Sequence, residues 1–382
     1  MKILLVSMPS LHFFRWTEQL ENSGHDVYWF DIVDGNPTSR LPWVKKINGW
    51  RLKFPNFKGR YFIKSRLPFL YKLSKPLVER KVETEFEKVL LQVQPDIVHS
   101  FVLYISCTPI FPVMLKYKKQ KWVYSSWGSD LYFFQNHTTY LNDIKRVLPR
   151  VNFLFADCQR DIKLAKQYGF EGDVLGIFPG GGGFNYNDTD KFIRPVLERN
   201  IILVKGYQGR SGRAIEVLKA LQKMYSNLKP YKVVVFGADD EVELFINKNS
   251  MGIELNIECL SRQNFLPHQR ILEFMGSALI YIGNSNSDGM PNTLLEAIAQ
   301  GAFPIQSNPG GATEEVITHR ENGLIIQDCN DSQEIMQHIK TSLNNSDLIE
   351  KAYKFNQNKI KPKYERGLVQ SLVLQAYNTI IK

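Results

Sequence analysis

Short apolar runs alternate with amphipathic stretches along the whole chain. Residues 2–6 form an apolar run of strand length, 12–23 carry apolar positions at helical spacing closed by Gly24, and 26–32 form a second strand. A helix is predicted near 82–93, followed by strands led by Pro95–Ser100, at 121–126, 153–157 and 172–177. The alternation then restarts, with strands at 200–204, 232–236, 255–260 and 278–282 and helices at 214–224 and 268–274. Strand-helix alternation of this kind predicts parallel, doubly wound sheets that bind ligands at the carboxyl ends of their strands. Between the two series lies Pro179-Gly-Gly-Gly-Gly-Phe184, the strongest loop signal in the chain and the approach to a domain boundary. At 382 residues there is length for two domains, each with its own core.

The run from Ser287 to Gly311 carries the most chemistry. Asp288 and Glu296 stand eight positions apart, with Gly289, Met290, Pro291, Asn292 and Thr293 between them. Proline suits the first turn of a helix, so a helix is predicted to start at 291–293 and to end at Gly301. The free amides at 289–293 and the positive end of the helix dipole suit phosphate. Glu296 lies about 7 Å further along the axis at ~1.5 Å per residue, so two acids flank a diphosphate position. That geometry fits a nucleotide-sugar. Standing alone, the same spacing also describes a buried helix whose acids cap and solvate.

Composition narrows the setting. Four scattered cysteines without a Cys-x-x-Cys pair indicate neither a disulfide framework nor a zinc site, and a reducing cytoplasm is the expected location. No apolar stretch reaches the length of a membrane span, and the N-terminal apolar run is too short for a secretory signal. The net charge is +10; thirteen Lys/Arg against the single acid Glu79 give residues 40–81 +12, so the remainder carries −2. Trp43, Trp50, Phe54, Phe57, Tyr61, Phe62, Phe69 and Tyr71 are interleaved with those cations. The pattern is expected to contact an anionic membrane surface, placing the protein peripherally on the inner face of the cell membrane. A solvated arm is the alternative, and nucleic acid is not expected because no stacking module accompanies the charge.

Residues 278–326 resemble the donor-binding half of retaining glycosyltransferases of family 4. There an acid-x₇-Glu motif leads into a Gly-x-Pro-x-Ile strand, then a Gly-Gly-x-x-Glu turn and an Asn-Gly-Leu segment. Here Asp288 to Glu296, the strand Ala302-Phe-Pro-Ile-Gln306, Gly310 to Glu314 and Asn322 to Leu324 follow in that order. The resemblance implies a GT-B architecture: two Rossmann-like doubly wound domains facing across a cleft. Residues 1–193 would bind the acceptor, 194–363 the nucleotide-sugar donor, and a last helix within 364–382 would return to the first domain. It also implies a metal-independent hexosyltransferase with no cofactor. Asp288, one methylene shorter than the usual Glu, would contact donor sugar hydroxyls, and Glu296 would bind ribose. Lys205 and Arg210 would clamp the diphosphate, with Arg213 as fallback, although Val204 and Ser211 replace the glycines that flank the family's two cations.

In the first domain, Trp127-Gly-Ser-Asp130 matches one variant of a family turn, where Asp130 positions a sugar or caps a helix. His12-Phe-Phe-Arg-Trp16 resembles a variant first loop, with His12 either in the site or capping a helix. His99 reads as structural. His268 and Phe265 fall where relatives place a loop near the base. Asp188-Thr-Asp190 matches a metal-holding signature but lies in a linker, so no metal ligand is assigned. The expected partners are a nucleotide-sugar donor and a glycan or glycolipid acceptor of the lipopolysaccharide, capsule or lipid-linked oligosaccharide type. A GT-B sugar-nucleotide 2-epimerase and a non-catalytic sugar-binding scaffold are the alternatives.

Overall fold

The computed structural model describes residues 1–35, 38–54, 66, 69, 77–264 and 266–380. Two compact units divide the chain: Met1–Asp157 with Asp161–Gly182 and Leu372–Lys382, and Cys158–Arg160 with Gly183–Ser371. The sequence placed the boundary at 193/194. Residues 183–193 instead group with the second unit, because the Phe184 amide donates to the Tyr364 carbonyl at 2.8 Å and the Tyr186 hydroxyl to that of Lys361 at 2.9 Å.

The first unit is built on seven strands: β1 (Lys2–Ser7), β2 (Asp26–Asp31), β3 (Lys45–Ile47), β4 (Ile97–Phe101), β5 (Lys121–Ser125), β6 (Phe153–Ala156) and β7 (Asp173–Ile177). They pair in parallel in the order β3-β2-β1-β4-β5-β6-β7. The near-continuous burial along β1, β4 and β5 follows from a parallel sheet covered on both faces. The helix Val82–Val93 buries Phe86, Val89, Leu90 and Val93, the i, i+3, i+4, i+7 stripe that its sequence predicts. The first helix is shorter than its pattern: Leu11–Thr17, capped by Ser10, with a 3-10 turn to Leu20.

Strand β3 lies inside the basic segment and corrects its description. Lys45 pairs with Asp26 at 2.8 Å, and Lys46 lies 3.8 Å from the buried Asp31 and over the Trp29 ring. Trp50, expected as an interfacial anchor, is 6% exposed; it stacks on Phe30 and donates its indole N–H to the Asp31 carbonyl at 2.8 Å. Phe54 and Phe69 are exposed. Phe57, Tyr61, Phe62 and Tyr71 lie outside the described residues, as does Phe265.

The second unit repeats the design with β8 (Ile201–Lys205), β9 (Lys232–Ala238), β10 (Ile257–Ser261), β11 (Ala278–Gly283), β12 (Phe303–Ser307) and β13 (Leu324–Ile326). They are parallel in the order β10-β9-β8-β11-β12-β13. In each sheet the strand order reverses beside the first strand, between β1 and β4 and between β8 and β11. Such a reversal opens a crevice at the carboxyl ends of the two strands.

Candidate functional site

At the reversal of the second sheet, β8 and β11 are direct neighbours, with Val204 opposite Ile282. Lys205 ends β8, and the loop after β11 carries Asp288. The register therefore brings together two residues that lie far apart in sequence: Lys205 Nζ is 3.7 Å from Asp288 Oδ2. The lysine side chain is 11% exposed and lies over the Tyr207 ring, whereas Asp288 is 28% exposed. Asp288 Oδ1 also accepts the Gly289 amide at 3.0 Å. Within this unit the Arg160 guanidinium donates to the Asp288 and Pro309 carbonyls at 2.8 and 2.7 Å, tying the two loops together. Arginine at 160 carried no motif. The signal is visible only in the folded chain.

The helix predicted after Asp288 is Asn292–Ala299, with Pro291 as its cap rather than its first residue. Gly301 terminates it at φ +81°, where any Cβ would also meet Tyr353 and Arg199. Met290 turns its side chain into the core, so only its backbone can face a ligand. Thr293 accepts the Tyr281 hydroxyl at 3.0 Å. Burial, and behind it the charges of Asp288 and Glu296, raises the Tyr281 phenol well above its usual range, so it stays a donor. Glu296 is 5% exposed on the helix, and His268 Nε2 donates to its Oε1 at 2.8 Å. A buried carboxylate costs free energy unless it is hydrogen-bonded. The histidine, 44% exposed, offsets that cost at the edge of solvent.

The glycine-rich turn after β8 packs tightly. A Cβ at Gly206 would lie 2.7 Å from the Ala238 Cα, and one at Gly212 would lie 1.9 Å from the Tyr207 carbonyl oxygen. The turn opens the helix Ala214–Gln222, so its amides meet a helix N-terminus, the arrangement that favours phosphate. Arg210 is exposed. Arg213 is engaged by the loop itself, donating to the Gly209 and Gly212 carbonyls and to Asn330 Oδ1. Of the two candidates for the second cation, Arg210 is exposed and Arg213 braces the loop.

In the first unit, His12 lies on the helix Leu11–Thr17, and Ser10 rather than His12 caps it. The His12 ring is 5.6 Å from that of Trp127, and a Cβ at Gly180 would meet both side chains within 4 Å. Three loops distant in sequence therefore converge. The Trp127 indole N–H is buried and has no hydrogen-bond partner among the described residues. It can donate one hydrogen bond and cannot take a proton. Asp130 is not aimed outward. It is 3% exposed and accepts from the Leu103 amide at 2.9 Å, the Trp127 amide at 3.0 Å and the Tyr124 hydroxyl. Burial pushes its carboxyl up to about 6, against the pull of the Tyr124 hydroxyl. His99 is fully buried between Tyr377 and Ser125, 2.6 and 2.8 Å from their oxygens.

Asp190 pairs with Lys361 at 2.7 Å, and Asp188 accepts from Asn185.

Residues 187–361 match the family model described as glycosyl transferases group 1. A Haemophilus influenzae protein described as an uncharacterized glycosyltransferase is 26% identical over 153 residues, 40% of this chain. The match spans 42% of that relative's length. Three solved structures cover essentially the whole chain. Sucrose-phosphate synthase from Thermosynechococcus elongatus has a TM-score of 0.69 at 15% identity, covering 100% of this chain and 99% of its own. Anabaena Alr3699/HepE in complex with UDP and glucose has 0.71 at 13%, covering 100% of both. The lipopolysaccharide outer core galactosyltransferase WaaB in its apo form has 0.66 at 15%, covering 100% and 99%. At these identities the likeness shows the fold, which is α/β of the GT-B type.

Proposed function

We propose that the chain is a retaining, metal-independent glycosyltransferase that moves a hexose from a nucleotide-sugar to a hydroxyl of a membrane-displayed glycan or glycolipid. The observation that carries this reading is the Lys205–Asp288 pair at the β8/β11 reversal, beside the N-terminus of the helix that buries Glu296. Glu296 accepts the ribose hydroxyls, with His268 orienting it. The Gly289–Thr293 amides and Lys205 receive the diphosphate, whose charge grows as the glycosidic bond breaks, so fixed positive charge there lowers the barrier. Arg210 adds a second cation from the turn. Asp288 contacts the sugar hydroxyls. The acceptor oxygen attacks C1 from the face the diphosphate leaves, and its proton passes to the departing phosphate oxygen. Asp288 is needed to hold the sugar rather than to form a covalent bond.

In the first unit the Trp127 indole N–H and His12 are the groups offered to an acceptor sugar, and Asp130 acts through Trp127 as a positioning residue. A peripheral location on the cytoplasmic face is supported by the +12 segment and by the exposed Phe54 and Phe69. No helix among the described residues is long and apolar enough to cross a membrane. The test is calorimetry of UDP, GDP and their hexose conjugates against the full chain and Glu296→Ala. The wild type should bind one nucleotide series. The variant should lose about ten-fold or more, since a hydrogen bond to a charged group contributes roughly 1.5–3 kcal/mol. Equal affinity in the variant would remove the ribose assignment. Sugar isomerised without an acceptor would point to an epimerase, and no nucleotide binding to a scaffold.

A further inference from the structure

Beyond β8 the chain turns through residues 206–213 before the helix Ala214–Gln222. The first three amides of that helix are already taken. Ala214 donates to the Tyr207 carbonyl at 3.1 Å, Ile215 to Gln208 Oε1 at 3.2 Å and Glu216 to the Arg213 carbonyl at 3.2 Å. The helix end therefore offers an anion its dipole but none of these N–H groups. The turn itself is different. Among the described residues the amides of Gly209, Ser211 and Gly212 have no acceptor. Backbone N–H groups gathered in one short turn are the elements of an anion nest.

Arg213 holds the shape of this turn. Its guanidinium donates to the Gly209 carbonyl and, at 3.1 Å, to that of Gly212, the two residues that bound the nest. Arg213 is held in turn by Asn284, the first residue after β11. The Arg213 amide donates to the Asn284 carbonyl at 2.8 Å, and Asn284 Nδ2 donates back to the Arg213 carbonyl at 3.2 Å. The same Nδ2 donates to the carbonyl of Cys329, beyond β13, at 2.8 Å, and Arg213 Nε donates to the neighbouring Asn330 Oδ1 at 3.2 Å. One side chain thus joins the loops that follow β8, β11 and β13. Asn284 is 2% exposed, and its Oδ1 has no partner among the described residues. Its NH2 is the end in use, because two carbonyls need two donors and only an amide of this length supplies them.

We propose that Asn284 is the positioning residue of an anion-binding turn at 209–212 that receives the diphosphate of the donor. It acts through Arg213 and stays out of contact with the ligand. Asn284 fixes Arg213, and Arg213 fixes the two glycine carbonyls at either end of the unpaired amides. A turn ordered before binding loses less conformational freedom when it captures an anion. Loosening the brace therefore weakens the diphosphate contact and leaves the base and ribose contacts as they were. Calling the anion a donor diphosphate rests on the transfer reading above; the turn and its brace do not.

The test is calorimetry on the full chain with UDP and GDP, with uridine and guanosine, and with inorganic pyrophosphate. Asn284→Leu keeps the branched shape, adds no charge and removes both donors. Asn330→Ala removes one exposed acceptor of Arg213 and spares the buried brace. Asn284→Leu should bind the preferred nucleoside diphosphate and pyrophosphate roughly ten-fold or more weakly, and the nucleoside unchanged. Asn330→Ala should show the same split at about three-fold. The inference is overturned if folded Asn284→Leu binds the diphosphate as the wild type does. It is also overturned if diphosphate and nucleoside weaken by the same factor, the mark of a general loss of structure. Should Asn284→Leu fail to fold, Asn330→Ala decides by the same two criteria. Pyrophosphate binding that the variants weaken, without any nucleotide binding, would keep the turn and sink the nucleotide-sugar reading. Nucleotide binding indifferent to both variants would sink the turn alone.

Discussion

His99→Phe should remove one acid-sensitive contribution to the stability of the first unit. In the folded protein burial pulls the His99 imidazole from 6.5 down to about 3, so it stays neutral between Tyr377 and Ser125. The unfolded chain takes up a proton below about 6.5 and the folded one does not. The histidine's contribution is therefore intact above pH 6.5 and shrinks as pH falls toward 3, by up to ~1.4 kcal/mol per pH unit. By pH 5 the loss is about 2 kcal/mol. Asp130 works in the opposite direction. Its folded value of about 6 lies above the ordinary 3.8, so acidification between those values stabilises the fold. The two terms largely offset in the wild type between pH 6 and 4, and only the difference between wild type and variant isolates the histidine.

Phenylalanine conserves the ring that stacks on Phe101 but leaves the Tyr377 and Ser125 hydroxyls short of a partner. Tyr377 retains the Trp16 indole donor at 3.3 Å. At pH 7.5 the variant should be less stable by about 2–4 kcal/mol, at roughly 1–3 kcal/mol for each deprived group. Urea unfolding followed by circular dichroism at half-unit intervals from pH 8 to 4.5, at constant ionic strength, measures the gap. It should close by about 2 kcal/mol between pH 7.5 and 5. A gap that holds constant or widens on acidification would refute the argument, because His99 would then not be held neutral by burial.

Further outcomes are expected elsewhere. Lys205→Ala should lower kcat more than it raises the donor KM, because charge on the leaving group grows toward the transition state; an effect confined to KM in steady-state assays counts against that role. Transfer should survive excess EDTA, since Lys205, Arg210 and a helix N-terminus supply the positive field; activity abolished by chelation and restored by magnesium would return Asp188 and Asp190 to consideration. Gly212→Ala drives a Cβ into the Tyr207 carbonyl and should abolish nucleotide binding, whereas Gly209→Ala, with nothing within 4 Å but φ +87°, should cost about 1–2 kcal/mol of stability and spare binding. The reverse order in melting and calorimetry would contradict the loop geometry. Arg51→Gln with Lys53→Gln should weaken sedimentation with anionic vesicles and make its loss with rising salt shallower, because fewer screened charges take part, given a Debye length of about 8 Å at physiological salt; equal binding to neutral vesicles would exclude an electrostatic membrane contact.

Much of the fold was legible because parallel strands buried on both faces must be apolar throughout, and helices that cover them must carry a stripe. The helix Val82–Val93 and strands β4, β11 and β12 stand at or within a residue or two of where those patterns put them. The turn at 289–293 and the stop at Gly301 were equally readable, since proline and positive-φ glycine act through their own backbones. Strand β3 was not: three residues hidden among cations give no periodicity, and its lysines are held by Asp26 and Asp31 on β2. Trp50 read as a surface aromatic for the same reason, although Phe30 buries it.

The chain by itself determined which residues carry charge, where helices start and stop, and that two sheets are doubly wound. Only the tertiary structure decided what those residues touch. Strand order sets Lys205 beside Asp288, places His268 on Glu296, and turns Asp130 from a sugar contact into a clamp on the Leu103 and Trp127 amides. None of these pairings follows from spacing along the chain. A parallel sheet joins strands through crossover connections whose lengths leave the neighbours unspecified, and burial then decides whether a carboxylate faces a ligand or the protein's own amides.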